Sequence, residues 1–392
     1  MCECIVVFFF SVPQSNHDVR FRLLTLGSSD TSSLSPLPQF SRMPTLQVAA
    51  TVISAVAAMQ QPTEYHEIAK HVNTAQSSWV ADPIASGRFN TTADAKQLCG
   101  TWLKDHPKYF RLPEREEDDT FKVLAPEDIP VSFDARTQWS NCTVISKVRD
   151  QSSCGSCWAF GSTEAFEDRQ CVSTGKDVEM SSEDTAACCK GLFCGFSNGC
   201  NGGQPSAALS WMASTGVVTG GDFFDIGSGS SCLPYSLKPC AHHVPASSKY
   251  AKCPSSEYPT PQCTKSCSED KYGTAYAADK HKGAKSHSYS GIAKIQTALM
   301  TEGPLAVAFS VYADFPTYKS GVYKHTTGAM LGGHAVEMIG WGTDATAGDY
   351  WIIKNSWNDQ WGDEGYFKIA KGTDECGIED DVSGKLWREV YF

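Results

Sequence analysis

Cysteine content is the feature that most constrains how this chain of 392 residues can fold. Of its 17 cysteines, Cys2, Cys4 and Cys99 lie early, and the other fourteen lie between Cys142 and Cys376. Cysteines at this density among Gly, Ser and Pro indicate a disulfide framework that forms in an oxidising compartment. Fourteen is an even number, so parity alone would allow seven bridges in this part of the chain.

Net charge and hydropathy argue against two classes of partner. The formal net charge is -11 at pH 7, and contact with phosphates needs a basic surface, so no nucleic-acid partner is expected. No apolar stretch reaches the length of a membrane-spanning helix, so no membrane partner is expected either.

Cys154 and Cys157 have the spacing of two zinc ligands. The second pair that such a site needs is absent, because Cys263 and Cys267 are one residue too far apart. A thioredoxin-like redox pair is also disfavoured, because no βαβ pattern precedes Cys154. We therefore expect no metal and no cofactor, with zinc as the alternative.

The first 128 residues differ in character from the rest of the chain. Residues 1–42 are expected to be an upstream or disordered extension, with Met43 as the true initiator. Residues 43–59 have the apolar core and the small residues of a signal peptide. Residues 60–128 are polar and cysteine-poor, and residues 129–392 form a compact segment.

The two halves of this compact segment have different patterns. The predicted helices of the first half lie at residues 158–171, 183–189 and 205–213. The predicted strands of the second half are apolar or aromatic and mostly bounded by glycine; they lie at residues 304–312, 334–341, 349–354 and 366–369. We therefore expect an α+β fold with a helical lobe, an antiparallel sheet lobe and a cleft between them.

Three residues are candidates for thiol catalysis, which needs a thiol, a base and a group that orients the base. Cys157 lies directly before Trp158 at the start of a predicted helix, where a helix N-terminus lowers a thiol pKa; its alternative role is half of a disulfide. His334 follows two glycines at the start of a strand and is the candidate base, although most lone histidines are structural. Asn355 ends the next strand, where its side chain could accept the ring N–H of His334.

Four motifs together resemble the papain family of cysteine proteases, and its cathepsin B branch in particular. They are Cys-Gly-Ser-Cys-Trp at 154–158, Gly-Cys-Asn-Gly-Gly at 199–203, Gly-His-Ala at 333–335 and Asn-Ser-Trp at 355–357. The resemblance implies a papain-like fold with a helical left lobe, an antiparallel β-barrel-like right lobe and an active-site cleft between them. It also implies that residues 60–128 are an inhibitory propeptide, that 129–392 are the mature peptidase domain, and that about 232–267 form an inserted occluding loop.

The resemblance assigns catalytic roles by position. Cys157 would be the nucleophile, His334 the general base and then the acid, and Asn355 the residue that orients His334. The side-chain amide of Gln151 and the Cys157 N–H would form the oxyanion hole. Trp357 would shield the bond between His334 and Asn355 from water.

Further positions are implied to bind substrate. They are Gly202, Gly203, Trp357, His242, His243, Asp381 and Ala335. His242 and His243 would receive the C-terminal carboxylate of a substrate and give peptidyl-dipeptidase activity, although two adjacent loop histidines are otherwise simply exposed. Asp381 would form the floor of the S2 pocket and accept arginine there more weakly than a glutamate; the alternative is an ordinary exposed aspartate.

The chain departs from the family pattern around the occluding loop. Ala241 replaces a glutamate before the histidines, and Lys249 replaces an arginine. Gln360 stands where the aspartate partner of that residue is expected, although Asp359 is adjacent. We therefore expect one loop salt bridge to be lost, the loop to be loosely held and endopeptidase activity to be favoured. Ser152 also replaces a glycine in the turn before the oxyanion hole.

The order of the cysteines matches cathepsin B and implies six disulfides. They are Cys142–Cys171, Cys154–Cys200, Cys188–Cys263, Cys189–Cys194, Cys232–Cys267 and Cys240–Cys253. Cys157 and Cys376 would then stay as free thiols.

The leading hypothesis is therefore a cysteine-type endopeptidase with peptidyl-dipeptidase activity that is made as a zymogen. Expected partners are peptide and protein substrates, the chain's own propeptide and cystatin-type inhibitors, and the enzyme is expected to be a monomer. The expected location is a lysosome or the outside of the cell, which fits the glycosylation sequons at Asn90 and Asn141. The alternative is a non-catalytic binding or matrix protein on the same scaffold.

Overall fold

The computed structural model describes residues 64–82, 91–109, 121–242, 244–254, 256–284 and 286–385. The extension expected at 1–42, the signal peptide expected at 43–59 and His243 lie outside these residues. Within the described ranges, no helix is both long enough and apolar enough to cross a bilayer.

The helices lie mostly before residue 215. They are α1 (Glu64–Ala75), α2 (Thr92–Lys96), α3 (Ala135–Gln138), α4 (Cys157–Thr174), α5 (Ser182–Cys188), α6 (Pro205–Ser214) and α7 (Ile292–Glu302). Helix α4 is the centre of the helical lobe, because every residue of its first four turns is buried. It ends at Gly175, whose φ of 72° is a left-handed conformation that glycine adopts at little cost. The Ser181 side chain caps α5 by accepting the Asp184 N–H.

The strands lie mostly after residue 285. They are β1 (Trp79–Ala81), β2 (Phe133–Asp134), β3 (Cys240–Ala241), β4 (Ala251–Lys252), β5 (Ser286–Tyr289), β6 (Leu305–Tyr312), β7 (Tyr318–Tyr323), β8 (Met330–Asp344), β9 (Gly348–Lys354), β10 (Tyr366–Ala370) and β11 (Asp381–Lys385). The large sheet has the order β1-β7-β10-β9-β8-β6-β11-β5, and β2 pairs with β8. Its pairings are antiparallel except for β10 with β7.

This sheet lobe is an open sheet rather than a barrel. In the described strands, β1 and β5 are its two edges and do not pair with each other. The expected α+β architecture of two lobes is confirmed, and the barrel-like closure of the second lobe is corrected to an open, mainly antiparallel sheet. Strand β1 belongs to the N-terminal segment, a name we use for residues 64–109, so part of the sheet edge comes from outside residues 129–392.

Close packing between α4 and β8 brings the two lobes together. A Cβ added to Gly161 on α4 would lie 3.0 Å from the carbonyl oxygen of Val336 on β8. The glycine therefore lets the helix approach the strand backbone. Cys157 begins that helix and His334 lies on that strand, so this contact sets the distance between the two candidate catalytic residues.

A group of buried charges also lies where the lobes meet, and we call it the lobe-boundary cluster. Its members are Arg149, Glu164, Glu167, Asp168, Glu337 and Lys354, all at most 1% exposed. Arg149 binds both oxygens of Glu167 at 2.8 and 2.7 Å, and Lys354 Nζ lies 2.7 Å from Glu337 Oε2. Burial raises the pKa of Glu164 to about 7, although Lys354 and Arg149 oppose the change. Four carboxyl groups thus face two cations, so the cluster retains protons more readily than exposed carboxylates do.

Six disulfides staple the fold. They join Cys142 to Cys171, Cys154 to Cys200, Cys188 to Cys263, Cys189 to Cys194, Cys232 to Cys267 and Cys240 to Cys253. These are the same six pairs that the family resemblance implies. Among the described cysteines, Cys99, Cys157 and Cys376 are free thiols.

Candidate active site

The thiol of Cys157 lies at the N-terminus of α4 and is completely buried. Burial alone would raise the pKa of this thiol, but the charge of His334 and hydrogen bonds from His334, Thr101 and the Ala335 backbone outweigh it, so the pKa is lowered. The N-terminus of a long helix adds partial positive charge at the same point. The arrangement therefore favours the thiolate, which is the nucleophilic form of cysteine.

The His334 ring is held between Cys157 and Asn355. Its Nε2 lies 2.8 Å from Asn355 Oδ1, and the same oxygen accepts the Ser356 backbone N–H at 2.8 Å. Because a backbone N–H can only donate, the Asn355 oxygen must face it, and His334 Nε2 must then carry a proton. Within the part of the chain that the structure describes, the buried Nδ1 has no other hydrogen-bond partner, so it is the nitrogen that remains for Cys157.

Trp357 lies against this imidazole. The two ring centroids are 4.9 Å apart, and the indole is completely buried. The indole therefore covers one side of the His334 ring, and a hydrogen bond in such a low-dielectric environment is stronger than one in water.

The side-chain amide of Gln151 points into the cleft. Its Nε2 donates to the carbonyl oxygens of Leu98 at 3.1 Å and Cys154 at 2.8 Å. The hydroxyl of Ser356 donates to Gln151 Oε1 at 2.8 Å and so fixes which way the amide faces. The Nε2 amide group of Gln151 is therefore already hydrogen-bonded to carbonyl oxygens in the structure. The first N–H groups of α4, beginning with Cys157, lack helical acceptors and are further donors nearby.

Ser356 is a residue that the sequence analysis missed. It binds Gln151 through its side chain and Asn355 through its backbone, so it ties the two motifs together. The signal was available, because Ser356 is the middle residue of the Asn-Ser-Trp motif, but its partner lies more than 200 residues away in sequence.

An extended stretch of the N-terminal segment fills the cleft. Thr101 N–H donates to Gly333 O at 3.0 Å on the sheet lobe. Gly203 N–H donates to Gly100 O at 2.9 Å, and Trp102 N–H donates to Gly203 O at 3.0 Å, on the helical lobe. The chain runs parallel to Gly203 and antiparallel to Gly333. Both walls of the cleft therefore bind an extended backbone.

Glycine is required at both walls. A Cβ on Gly203 would lie 2.5 Å from the Trp158 ring, and a Cβ on Gly333 would lie 2.4 Å from Thr101 O. The side chain of Thr101 points to the nucleophile, with its Oγ1 3.2 Å from Cys157 Sγ. The N-terminal segment therefore covers the thiol directly.

Asp381 lies at the start of β11, beside the point where the N-terminal segment crosses the sheet lobe. Burial raises its pKa to about 6; Lys104 lowers it and Asp380 raises it further. Lys104 Nζ contacts Asp380 Oδ1 at 2.8 Å and Asp380 O at 2.7 Å. A basic side chain of the N-terminal segment thus already meets this acidic pair.

His242 is anchored at the base of the loop at 232–267. Its Nε2 lies 2.7 Å from Asp150 Oδ1, and Asp150 also accepts the Ser152 N–H at 2.6 Å and Asn358 Nδ2 at 2.9 Å. Ser152, which replaces the family's glycine, has a φ of 60°. Its hydrogen bonds to Asp150 and to Lys238 O, the latter at 2.5 Å, offset the strain of that backbone conformation. His243 lies outside the described residues.

The expected loss of the loop salt bridge is corrected. Lys249 Nζ lies 2.5 Å from Asp359 Oδ2, so the adjacent aspartate replaces the residue expected at Gln360. Gln360 supports that partner, because its Nε2 donates to Asp359 Oδ1 at 3.2 Å. The two charged side chains are 53% and 39% exposed, so the pair contributes at most about 1 kcal/mol.

Neither group of cysteines near the cleft offers a metal site in this state. Cys154 is bonded to Cys200, so the Cys154-x-x-Cys157 pair cannot present two thiolates. Cys240, His242 and Cys253 have ligand atoms within 4.8 Å of one another, but the two sulfurs form a disulfide.

Comparisons of sequence and fold with known proteins point to one family. The profile of the family described as "Papain family cysteine protease" matches residues 129–386. The chain is 44% identical over 314 residues to "Cathepsin B-like cysteine proteinase 5" of Caenorhabditis elegans, covering 79% of this chain and 86% of that protein. It is also 44% identical over 315 residues to the "Gut-specific cysteine proteinase" of the same organism, covering 80% of this chain and 87% of that one.

Solved structures of similar fold include two proenzymes. "ProCathepsin B S9 from Trypanosoma congolense" is 28% identical, with a TM-score of 0.65, and the match covers 84% of this chain and all of that one (100%). Digestive procathepsin L 3 of Tenebrio molitor larval midgut is 21% identical, with a TM-score of 0.55, and the match covers 89% and 94% of the two chains. The second likeness concerns the fold alone.

Proposed function

Because this chain belongs to the papain family of cysteine proteases, we propose that it is synthesised as an inhibited precursor whose mature domain has both endopeptidase and peptidyl-dipeptidase activity. The observation that carries this proposal is the convergence of Cys157, His334, Asn355 and Gln151 on one point of a cleft that binds extended backbone. A non-catalytic homologue has no need of a thiol with a lowered pKa.

The proposed reaction begins with attack of the Cys157 thiolate on a peptide carbonyl carbon. A carbon–sulfur bond forms, and the carbonyl oxygen takes up negative charge that Gln151 Nε2 and the Cys157 N–H stabilise. The imidazolium of His334 then gives its proton to the leaving amine as the carbon–nitrogen bond breaks. His334 next takes a proton from water, which attacks the thioester and restores the thiolate and imidazolium.

The N-terminal segment is proposed to be the central part of an inhibitory propeptide that spans residues 60–128. Gln151 Nε2 binds the carbonyl of Leu98, whereas the residue beside Cys157 Sγ is Thr101, three positions later. No single peptide bond is therefore offered to both the nucleophile and the oxyanion hole. Parallel pairing with Gly203 supports a backbone direction opposite to that of a substrate, so the segment blocks the cleft without being cleaved there.

The loop at 232–267 is proposed to close the primed end of the cleft, on the C-terminal side of the cleaved bond. His242 is completely buried against Asp150, and an imidazolium there, with His243 next in sequence, is a suitable receptor for a substrate's C-terminal carboxylate. When the loop is in place, the proposed activity is the release of C-terminal dipeptides. Because the outer contact between Lys249 and Asp359 is exposed and weak, the loop can move aside for endopeptidase activity.

The six disulfides support folding in the secretory pathway, followed by residence in a lysosome or outside the cell. Peptides and proteins are the proposed substrates, cystatin-type inhibitors are proposed partners, and the active unit is proposed to be a monomer. Residues 129–392 are the proposed mature domain.

An epoxide inhibitor that traps thiolates tests the catalytic assignment. The processed protein should be labelled at one site, and Cys157→Ala should abolish the labelling. Cys376→Ala is the matched control, because Cys376 is the other free thiol of residues 129–392 and its pKa is raised by burial and by Glu375. Absence of labelling in the processed wild type would instead support the non-catalytic alternative.

A further inference from the structure

The turn that leads to the candidate nucleophile, residues 150–156, is bonded to the base of the loop at 232–267. We call it the oxyanion turn, because it contains Gln151 and runs directly into Cys157, the two proposed oxyanion donors. The first arm of the loop, residues 232–240, and the second arm, residues 253–267, both form hydrogen bonds to this turn.

Ser152 connects the oxyanion turn to the first arm. The residue is completely buried, and its hydroxyl donates to Lys238 O at 2.5 Å. Its φ of 60° is a left-handed conformation that glycine, the residue of the family pattern at this position, adopts at less cost than serine. Serine therefore contributes what glycine cannot, which is a side-chain bond between the turn and the loop.

Tyr235 connects the first arm to both ends of the oxyanion turn. Its hydroxyl donates to Gln151 O at 2.9 Å. Its single proton is then in use, so the hydroxyl of Ser156, 3.1 Å away, is the donor in their contact. Ser156 lies directly before Cys157 at the start of α4. One buried hydroxyl therefore links the backbone of Gln151 to the N-terminus of the catalytic helix.

The second arm is bonded to the middle of the same turn. Glu257 Oε1 accepts the Gly155 N–H at 2.8 Å, and Tyr258 N–H donates to Ser153 O at 2.8 Å. The backbone of the oxyanion turn is therefore hydrogen-bonded to both arms of the loop.

We propose that Ser152 and Tyr235 are positioning residues, which use the first arm to hold the Gln151 and Cys157 donors where the charged oxygen of the substrate forms. This role rests on the protease function proposed above. Donors that are fixed in advance stabilise the transition state, so a turn that is free to shift costs rate rather than substrate affinity. Ser356 fixes the side chain of Gln151, whereas Tyr235 fixes its backbone. The base of the loop thus serves every substrate, including those without a free C-terminal carboxylate.

Steady-state hydrolysis of an amidated, internally quenched peptide by the processed enzyme tests this role. Tyr235→Phe removes only the hydroxyl and should lower kcat about tenfold with KM unchanged, the loss expected for one hydrogen bond that acts in the transition state. Ser152→Gly keeps the backbone bond to Asp150 and loses the bond to Lys238 O, so kcat should fall about three- to tenfold. Glycine favours this backbone conformation, so the variant is expected to fold.

Inactivation by iodoacetamide separates positioning from general damage to the site. Alkylation needs the Cys157 thiolate but forms no oxyanion, so its rate and its pH dependence should be unchanged in both variants. Tyr272→Phe is the matched control. The Tyr272 hydroxyl is also bonded to two side chains, Asp279 and Thr219, but neither belongs to the oxyanion turn, so kcat should equal that of the wild type.

Three results would each overturn the positioning role. They are an unchanged kcat in either Tyr235→Phe or Ser152→Gly, a rise in KM that accounts for the loss of kcat/KM, and a shifted pH dependence of alkylation. Failure of the protease function itself would look different, because the wild type would hydrolyse no peptide and the epoxide would not label Cys157.

Discussion

The lobe-boundary cluster makes the stability of this protein dependent on pH. Burial raises the pKa of Glu164 from its ordinary value of 4.5 to about 7. A carboxyl group whose pKa is raised by folding binds its proton more tightly in the folded state. Its contribution to stability is therefore fully present below pH 4.5, falls as the pH rises, and is lost as the pH passes about 7.

The size of this contribution follows from the difference between the two pKa values. A difference of about 2.5 pH units corresponds to roughly 3 kcal/mol. Glu164 is 1% exposed, so solvent screening does not reduce this figure much. Glu164→Gln keeps the shape of the side chain but cannot ionise, and Lys354 keeps its contacts with Glu337 and Asp168. The loss of stability between pH 4.5 and pH 7 should therefore be roughly 3 kcal/mol smaller in the variant.

Denaturant unfolding at several pH values measures this effect. The full-length precursor with Cys157→Ser should be used, without reductant, so that neither self-cleavage nor loss of disulfides contributes. Glu364→Gln, at an exposed position of the sheet lobe, is the control and should leave the pH dependence unchanged. If Glu164→Gln showed the same pH dependence as the parent protein, the reasoning about the cluster would be refuted.

Three further predictions concern the cleft. Gln151→Ala should lower kcat/KM by about 10²–10³, because a hydrogen-bond donor to the oxyanion is lost. Ser356→Ala should lower kcat/KM only about 2–10-fold, because the Gln151 amide keeps its place and loses one neutral hydrogen bond. Equal losses of kcat/KM in steady-state assays would contradict the positioning role of Ser356. His242→Ala should slow the release of C-terminal dipeptides from peptides with a free carboxylate, and amidated peptides should be cleaved as before; an equal effect on both would argue against carboxylate recognition. Burial raises the pKa of Asp381 to about 6, so hydrolysis of substrates with Arg rather than Phe at P2, the second residue before the cleaved bond, should rise as the pH passes that value. Asp381→Asn should abolish the rise.

Local sequence signals pointed to the candidate catalytic residues that the structure brings together. Cys157 is marked by its Trp neighbour and the helix that follows, and His334 is marked by the glycines before its strand. The even number of cysteines after residue 141 was compatible with seven disulfides. Only the family resemblance implied the six pairs that the structure contains. The reason is that cysteine spacing does not encode which cysteines meet in space.

Features that depend on contacts between residues far apart in the chain could not be predicted from the sequence. Ser356 acts on Gln151 across more than 200 residues, so nothing near either residue reveals the bond. The salt bridge of Lys249 uses Asp359 rather than the next residue, and the backbone turns just before it at Asn358, whose φ is 59°.

The candidate catalytic thiol and the lobe-boundary cluster both lie where the two lobes meet, and both respond to pH. The pKa of Cys157 is lowered, mainly by the charge of His334, so the nucleophilic thiolate persists to lower pH than that of an ordinary cysteine. The pKa of Glu337 is raised by burial and by Asp168, so the lobe-boundary cluster loses stability as rising pH removes its protons. Both features therefore favour acidic over alkaline conditions, because the thiolate survives to lower pH and the cluster is more stable there. This agrees with the proposed lysosomal location, and it follows from charges at one interface rather than from the overall acidity of the chain.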